Sequence, residues 1–144
     1  MEKSCSIYKT EKHYKMHPFY TTSTGLYRAG PPVFILDKNI NNKELLDKIF
    51  ECLQHSREVS EEEEEKILFT TNKEMLRALK EKSFKKLYSQ SKSISIDFDE
   101  NENFIRIIPT VKEKHYLKHL PPIEVKYDPE NKDELIKLIL KTLE

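Results

Sequence analysis

The stretch that decides the fold is Ser91-Lys-Ser-Ile-Ser-Ile-Asp-Phe-Asp-Glu-Asn-Glu-Asn-Phe-Ile-Arg-Ile-Ile-Pro109. Apolar and polar side chains alternate over residues 93–98, which is the period of a half-buried strand. A polar run of turn-forming residues covers 99–103, and a second strand pattern covers 104–108. Pro109 lacks the N–H of a ladder donor, so we expect it to end that strand. The stretch predicts a hairpin at the centre of a sheet, and it holds no catalytic residue pattern.

Composition limits the classes of function. At 144 residues the chain has the length of one domain, so we expect a single domain over residues 1–144. The 25 Lys and Arg residues balance the 25 Asp and Glu residues, which argues against a dedicated nucleic-acid binder. Two glycines are too few for a Walker loop or a dinucleotide-binding turn.

Cysteines and hydropathy indicate the compartment. Cys5 and Cys52 lie far apart and lack metal-ligand spacing, so we expect two free, buried thiols in a reducing cytosol. Residues 1–10 lack the apolar core of a signal peptide, and no apolar run approaches the length of a membrane span. We therefore expect a cytoplasmic protein that has no membrane association, no metal and no cofactor.

Capping signals and apolar periodicity place the other elements. Asn41-x-x-Glu44 and Ser60-x-x-Glu63 have capping-box spacing, and apolar residues recur at helical spacing after the first of them. The patterns predict helices near 42–55, 61–69, 72–89 and 131–143, and strands near 5–9, 15–20, 33–36, 93–98, 104–109 and 123–127. The expected fold class is α/β of the α+β type, with a single central sheet, mixed or mostly antiparallel, covered by amphipathic helices.

The end of the chain repeats an earlier segment. Residues 31–54 align without gaps on residues 121–144, at a constant offset of 90. The identical positions are a chain break, a helix cap and helix core positions: the Pro31–Pro32 and Pro121–Pro122 pairs, Asn41 and Asn131, Glu44 and Glu134, Leu45 and Leu135, Ile49 and Ile139, Leu53 and Leu143. The match predicts two similar strand–helix units on one sheet, although convergent use of the same physical signals would also produce it.

Two other classes of function have weaker support. His115 and His119 have the i, i+4 spacing of zinc ligands, but no carboxylate lies between them, so two exposed or loop histidines are expected. An enzyme would have to use these histidines with His17 and Asp97, and no spacing groups them as nucleophile, base and orienting residue. A nucleic-acid-binding module would use the basic and aromatic residues of 9–17 and the lysines of 80–86; the alternative for both segments is a solvated surface.

The order of the motifs resembles a bacterial family, the immunity proteins of contact-dependent growth inhibition (CDI) systems. The resemblance covers roughly residues 24–144, and the motifs are structural rather than chemical. They are Gly30-Pro-Pro32, Lys43-Glu-Leu45, Lys82-Ser-Phe84-x-x-Leu87, Ile94-x-Ile96 with Ile107-Ile-Pro109, and Asp133-Glu-Leu135.

The resemblance implies a non-catalytic inhibitor in the cytosol. Its partner would be the cognate C-terminal toxin domain of a large secreted or surface-displayed effector, often a nuclease, with an RNase as the first choice. Acidic side chains that face the basic substrate cleft of a nuclease would supply affinity and specificity. The candidate residues are Asp97, Asp99, Glu100 and Glu102 at the hairpin turn, and Glu62 and Glu63 in the acidic run 61–65. The turn is favoured because a protruding tip can enter a cleft, and an ordinary solvated turn is the alternative.

Overall fold

The computed structural model describes residues 2–114 and 116–144. Eight strands and five helices occur within this part of the chain. In chain order they are β1 (Lys3–Lys9), β2 (His13–Thr21), β3 (Tyr27–Ala29), β4 (Phe34–Asp37), α1 (Asn42–His55), α2 (Glu61–Ile67), α3 (Asn72–Leu79), α4 (Phe84–Ser89), β5 (Lys92–Asp99), β6 (Phe104–Glu113), β7 (Tyr116–His119), β8 (Ile123–Lys126) and α5 (Lys132–Thr142).

All eight strands join one curled sheet, and every pairing between them is antiparallel. The order along the sheet is β3-β2-β1-β5-β6-β7, while β4 also pairs with β2 and β8 also pairs with β6. Each end of the sheet is therefore split between two short strands. The predicted antiparallel sheet is confirmed, and the β5–β6 hairpin lies within it, with Ile96 paired to Ile107.

Helices α1 and α5 cover one face of the sheet and form the main core with it. Apolar side chains of β1, β2, β5 and β6 point into this layer, as the period-two patterns require. The helices contribute apolar stripes that include the fully buried Ile49 and Ile139. Burial of these stripes supplies most of the hydrophobic driving force for this layer.

Helices α3 and α4 lie on the other face of the sheet, and α2 leads into a separate apolar cluster at Tyr20. Leu79 and Leu87 pack against Tyr8 on the second face, and Leu68 and Val59 pack against Tyr20. The ammonium of Lys15 on β2 joins this layer to the sheet, because it pairs with Glu81 and donates to the Leu79 carbonyl oxygen at 2.7 Å. The fold is therefore a three-layer α+β structure.

The chain is built from two structurally equivalent units. We call β1–β4 with α1 the first unit and β5–β8 with α5 the second unit. Ser6 pairs with His17 in the first, and Ser95 pairs with Ile108 in the second. Ser6 and Ser95 also pair with each other across β1 and β5. The two units are thus related by an approximate two-fold axis that passes through this serine pair.

The equivalence extends to the outer strands and the helices. Lys15 pairs with Ile35 between β2 and β4, and Arg106 pairs with Glu124 between β6 and β8. Lys15 and Arg106 are equivalent at an offset of 91, and Ile35 and Glu124 are equivalent at an offset of 89. The buried positions of α1 and α5 match at the offset of 90 found in the sequence. The two predicted strand–helix units are confirmed, and each is larger than the repeat in the sequence.

One strand boundary was predicted wrongly. Strand β6 continues through Pro109 to Glu113. Its residues 104–107 pair with β8 and its residues 110–113 pair with β7, so Pro109 lies between two partners. The missing N–H therefore interrupts no continuous ladder on that side. Pro18 occupies the equivalent position of β2, between the segments paired with β4 and β3.

The predicted helix over 72–89 is two helices. Lys80 adopts a left-handed conformation with φ of 56° and ends α3. Ser83 then accepts a hydrogen bond from the backbone N–H of Lys86 and begins α4. Helix α2 ends at Ile67, short of the predicted 69. Strands β3 and β7 were not predicted.

Candidate functional site

The tip of the β5–β6 hairpin carries three of the predicted carboxylates. Asp99 accepts hydrogen bonds from the backbone N–H groups of Asn101 and Glu102, at 3.0 and 3.1 Å, so it shapes the turn. Glu100 lies 3.7 Å from the ammonium of Lys3, and both Glu100 and Glu102 are exposed. The tip therefore presents two carboxylates to solvent on a turn that Asp99 holds.

Asp97 lies beside Arg106 rather than at the tip. Its carboxylate accepts from the hydroxyl of Ser4 and lies 3.5 Å from the guanidinium of Arg106. The same guanidinium binds Glu2 at 3.1 Å and Glu124 at 3.4 Å. Three carboxylates thus share one guanidinium across β5, β6, β8 and the residue before β1. The pKa of Arg106 is raised above its usual value, and the negative charge of Glu2 makes the largest contribution.

Helix α2 holds the second acidic group. Ser60 and Glu63 form a reciprocal capping box, and Arg57 donates to the Glu63 carboxylate at 2.9 Å. The Arg57 hydrogen bond, followed by the backbone hydrogen bond of Ser60, lowers the pKa of Glu63 to about 2. Glu62 is exposed. Of these two side chains, Glu63 is bound by Arg57 and Ser60, and Glu62 faces solvent.

Lys3 contacts both the hairpin tip and the segment that leads to α2, so the two acidic groups lie at the same end of the sheet. Its ammonium lies beside Glu100 of the hairpin tip, and it donates at 3.3 Å to the carbonyl oxygen of Ser56, four residues before the cap of α2. Ser56 is fixed in turn, because its hydroxyl accepts from the N–H of Ser4 and donates to the Phe19 carbonyl oxygen. We call the hairpin tip, the Arg106 cluster and α2 together the acidic end.

The positions of the histidines bear on whether the chain could form the active site of an enzyme. His17 and His119 line one cavity of about 460 Å³ on the second face of the sheet, together with hydroxyl and aromatic side chains. His17 is fully buried and contacts the Pro18 carbonyl oxygen through Nδ1 at 3.1 Å. Burial lowers its pKa to about 4, so it is neutral near pH 7. Asp97 is held by Arg106 outside this cavity, and His115 lies outside the described residues.

Over residues 2–114 and 116–144, no group of three or more His, Cys, Asp or Glu side chains is arranged to hold a metal ion. None of the helices in those ranges is long and apolar enough to cross a membrane. Cys5 and Cys52 are free and buried, as predicted. A hydrogen bond with Cys52, together with burial, raises the pKa of the Cys5 thiol.

Comparison with protein families decides the class. The family model described as CdiI, CDI immunity protein, matches residues 3–126. The chain belongs to the CDI immunity protein family. The match includes both acidic groups and all eight strands, and it confirms the resemblance seen in the sequence. No sequence among the curated proteins matches this immunity protein significantly.

Two solved structures have the same fold. A protein of unknown function from Neisseria meningitidis is 18% identical, with a TM-score of 0.73 over 99% of this chain and 93% of that one. A chain of the CdiA-CT/CdiI toxin and immunity complex from Yersinia pseudotuberculosis is 12% identical, with a TM-score of 0.69 over 100% of this chain and 98% of that one. At these identities the likeness concerns the fold.

Proposed function

We propose that this CDI immunity protein binds the toxin domain of its own CDI system in the cytoplasm and neutralises it without catalysing a reaction. The toxin is a nuclease, with an RNase as the first choice. The acidic end covers the basic cleft in which the nuclease binds its substrate. The solved structure of a CdiA-CT/CdiI toxin and immunity complex with this fold supports a toxin domain as the partner.

The observation that carries the proposal is the convergence of carboxylates at the acidic end. Glu100 and Glu102 project from the hairpin tip, and Glu62 projects from α2, more than 35 residues earlier in the chain. Lys3 neutralises only part of this charge. Nuclease clefts attract phosphate with Lys and Arg side chains, so a surface of opposite charge accelerates association and penalises wrong partners.

The first experiment is titration calorimetry against the toxin domain encoded next to this protein, together with an assay of its nuclease activity. We expect nanomolar binding and loss of the nuclease activity when the proteins are equimolar. Absence of binding at micromolar concentrations would overturn the proposal. Binding to a toxin that has no nuclease activity would leave the immunity role and overturn the assigned toxin class.

A charge reversal tests the acidic end itself. The double variant Glu100→Lys/Glu102→Lys should weaken toxin binding at least about tenfold, because two attractive charges become repulsive. Asp99 is left in place because it holds the turn. The control is Glu11→Lys, an exposed residue in the equivalent turn of the first unit, at the opposite end of the sheet. Equal affinities for the two variants would remove the acidic end as the binding surface.

A further inference from the structure

The loop between β2 and β3 contacts α2 of the acidic end and leads into β3. On one side, the backbone N–H of Ser23 donates to the Glu64 carboxylate of α2 at 3.3 Å. On the other side, Tyr27 pairs with Thr21 and begins β3. Leu26 and Tyr27 have exposed fractions of 63% and 58%, the highest of the large hydrophobic side chains over residues 2–114 and 116–144.

Tyr27 lies on the same face of the sheet as Asp97 and Arg106. It comes two residues before Ala29 on β3, and cross-strand pairs join Ala29 through Phe19 and Ser4 to Asp97 and Arg106. Partial burial, followed by the negative charges of Asp97 and Glu2, raises the pKa of the Tyr27 phenol, while the charge of Arg106 opposes this effect. These charges act on Tyr27 although β3 lies at one edge of the sheet and Arg106 lies beyond its centre. The curled sheet thus places an exposed aromatic ring within reach of the charges of Asp97 and Glu2, two of the carboxylates that bind Arg106.

The loop that carries these two side chains is held in place. Thr22 donates its N–H to the Leu26 carbonyl oxygen at 2.8 Å, and its hydroxyl accepts from the Leu26 N–H at 3.1 Å. Farther along β3, Arg28 donates to the Phe69 carbonyl oxygen at 2.9 Å, and the Phe69 N–H donates to Ala29 at 3.3 Å. A rigid loop loses little conformational freedom when it binds, which favours affinity.

We infer that Leu26 and Tyr27 are the apolar anchor of the toxin interface, and that the toxin presents a pocket for the tyrosine ring with basic side chains around it. This inference rests on the proposed function and specifies the partner's surface. Aromatic residues near the centre of an interface carry much of its binding energy when surrounding contacts exclude water. The carboxylates on both sides of the loop supply that rim, and their charge selects a basic partner.

The chain offers a matched control for this inference. Tyr116 lies on β7, the second-unit equivalent of β3, and its exposed fraction is 54%. Its hydroxyl donates to the Glu113 carboxylate at 3.1 Å, so it too is an exposed tyrosine beside an acidic group. The variants Tyr27→Ala and Tyr116→Ala therefore remove the same exposed ring from equivalent strands.

The test compares toxin binding by the wild-type protein with binding by these two variants and by Tyr27→Phe. We expect Tyr27→Ala to weaken binding by on the order of 30-fold, as for an interface hot spot, and Tyr116→Ala to change it less than about twofold. Tyr27→Phe should keep most of the affinity, since the ring is retained. The melting temperature should stay constant in all three, because both side chains are exposed.

The outcomes separate the two proposals. Failure of the wild-type protein to bind the toxin overturns the proposed function, and the anchor with it. Tight wild-type binding that Tyr27→Ala leaves unchanged overturns the anchor and keeps the function. An equal or larger loss in Tyr116→Ala also overturns the anchor, because it places the toxin at the opposite edge of the sheet.

Discussion

The two units share their strands, register and covering helix, but they differ in what surrounds this frame. The equivalence has an offset of 89 between β1 and β5 and an offset of 91 between β2 and β6, so the second hairpin is longer by two residues. These residues form one additional strand pair, Asp99 with Phe104, and the acidic tip follows it. Residues 56–91 follow the first unit, supply α2 and cover the β3 edge.

This difference indicates where the two roles of the molecule lie. The shared frame supplies the core, and its matching positions are apolar or capping residues. The exposed carboxylates that we assign to toxin binding lie outside the shared frame: Glu62 in α2, and Glu100 and Glu102 at the tip of the longer hairpin.

Removing the same core side chain from each unit tests their equivalence. Ile49 of α1 and Ile139 of α5 are both buried against the sheet. Ile49→Ala and Ile139→Ala should each lower the free energy of unfolding by about 2–5 kcal/mol, because each leaves a cavity in the main core. Urea denaturation measures both effects. A loss for Ile139→Ala below half that for Ile49→Ala would mean that α5 is packed less firmly than its counterpart.

A buried histidine distinguishes the first unit from the second, in which Ile108 occupies the equivalent position. The unfolded chain takes up a proton at His17 near pH 6.5 and the folded chain only near 4. The stability contributed by neutral His17 is therefore complete above pH 6.5 and falls as the pH drops toward 4, by at most about 3 kcal/mol.

Denaturation from pH 7 to 4.5 tests this prediction against His17→Ile, which copies the second unit. The variant should lose less stability on acidification than the wild-type protein. Pro18 would still accept a hydrogen bond from Gly30 in this variant. If the free energy of unfolding fell equally with pH in the two proteins, protonation of His17 would not destabilise the fold. NMR titration of the His17 ring in the wild-type protein measures its pKa directly.

The caps of the two covering helices provide a smaller contrast. Asn41 accepts a hydrogen bond from the Glu44 N–H at 2.9 Å, whereas Asn131 makes no side-chain capping bond. Asn41→Ala should cost about 1 kcal/mol of unfolding free energy, and Asn131→Ala only a few tenths. Thermal denaturation of the two variants measures the difference. Equal losses would contradict the assignment of the cap to the first helix alone.

The smallest effect concerns α2, which follows the first unit. Arg57→Ala should raise the pKa of Glu63 from about 2 toward its usual range, because it removes the largest cause of the depression. The Glu63–Arg57 interaction stabilises the fold above the unfolded-state pKa and is lost as the pH falls through the folded-state value. NMR titration of the carboxyl carbon measures the shift. Lys48→Ala, which removes another exposed ion pair, should leave Glu63 unchanged.

The sequence was sufficient wherever one local signal decided the structure. The alternation in 93–98 predicted β5, and capping with apolar stripes predicted α1 and α5 near their observed bounds. Strands β3 and β7 escaped prediction because three or four residues are too short for a periodic pattern. The turn between α3 and α4 is bound by Lys15, which lies more than 60 residues earlier and which no local pattern reveals.

The candidate site was predictable only in part. The turn position of Asp99, Glu100 and Glu102 follows from the hairpin pattern. The engagement of Asp97 depends on its pairing with Arg106 across the hairpin, which fixes their side chains on one face. The anchor at Tyr27 was missed because its neighbours come from β5 and β6, and only the curl of the sheet brings these strands near β3.

Pro18 and Pro109 have a consequence for the edges of the sheet. Each lies where its strand exchanges one outer neighbour for another, and its carbonyl oxygen accepts the N–H of the residue before a Pro–Pro pair, Gly30 in one unit and Leu120 in the other. Each border of the sheet therefore consists of two short strands instead of one long strand. Two short strands in place of one long edge make a poor template for an identical molecule, so this arrangement protects a strand-rich protein against edge-to-edge aggregation.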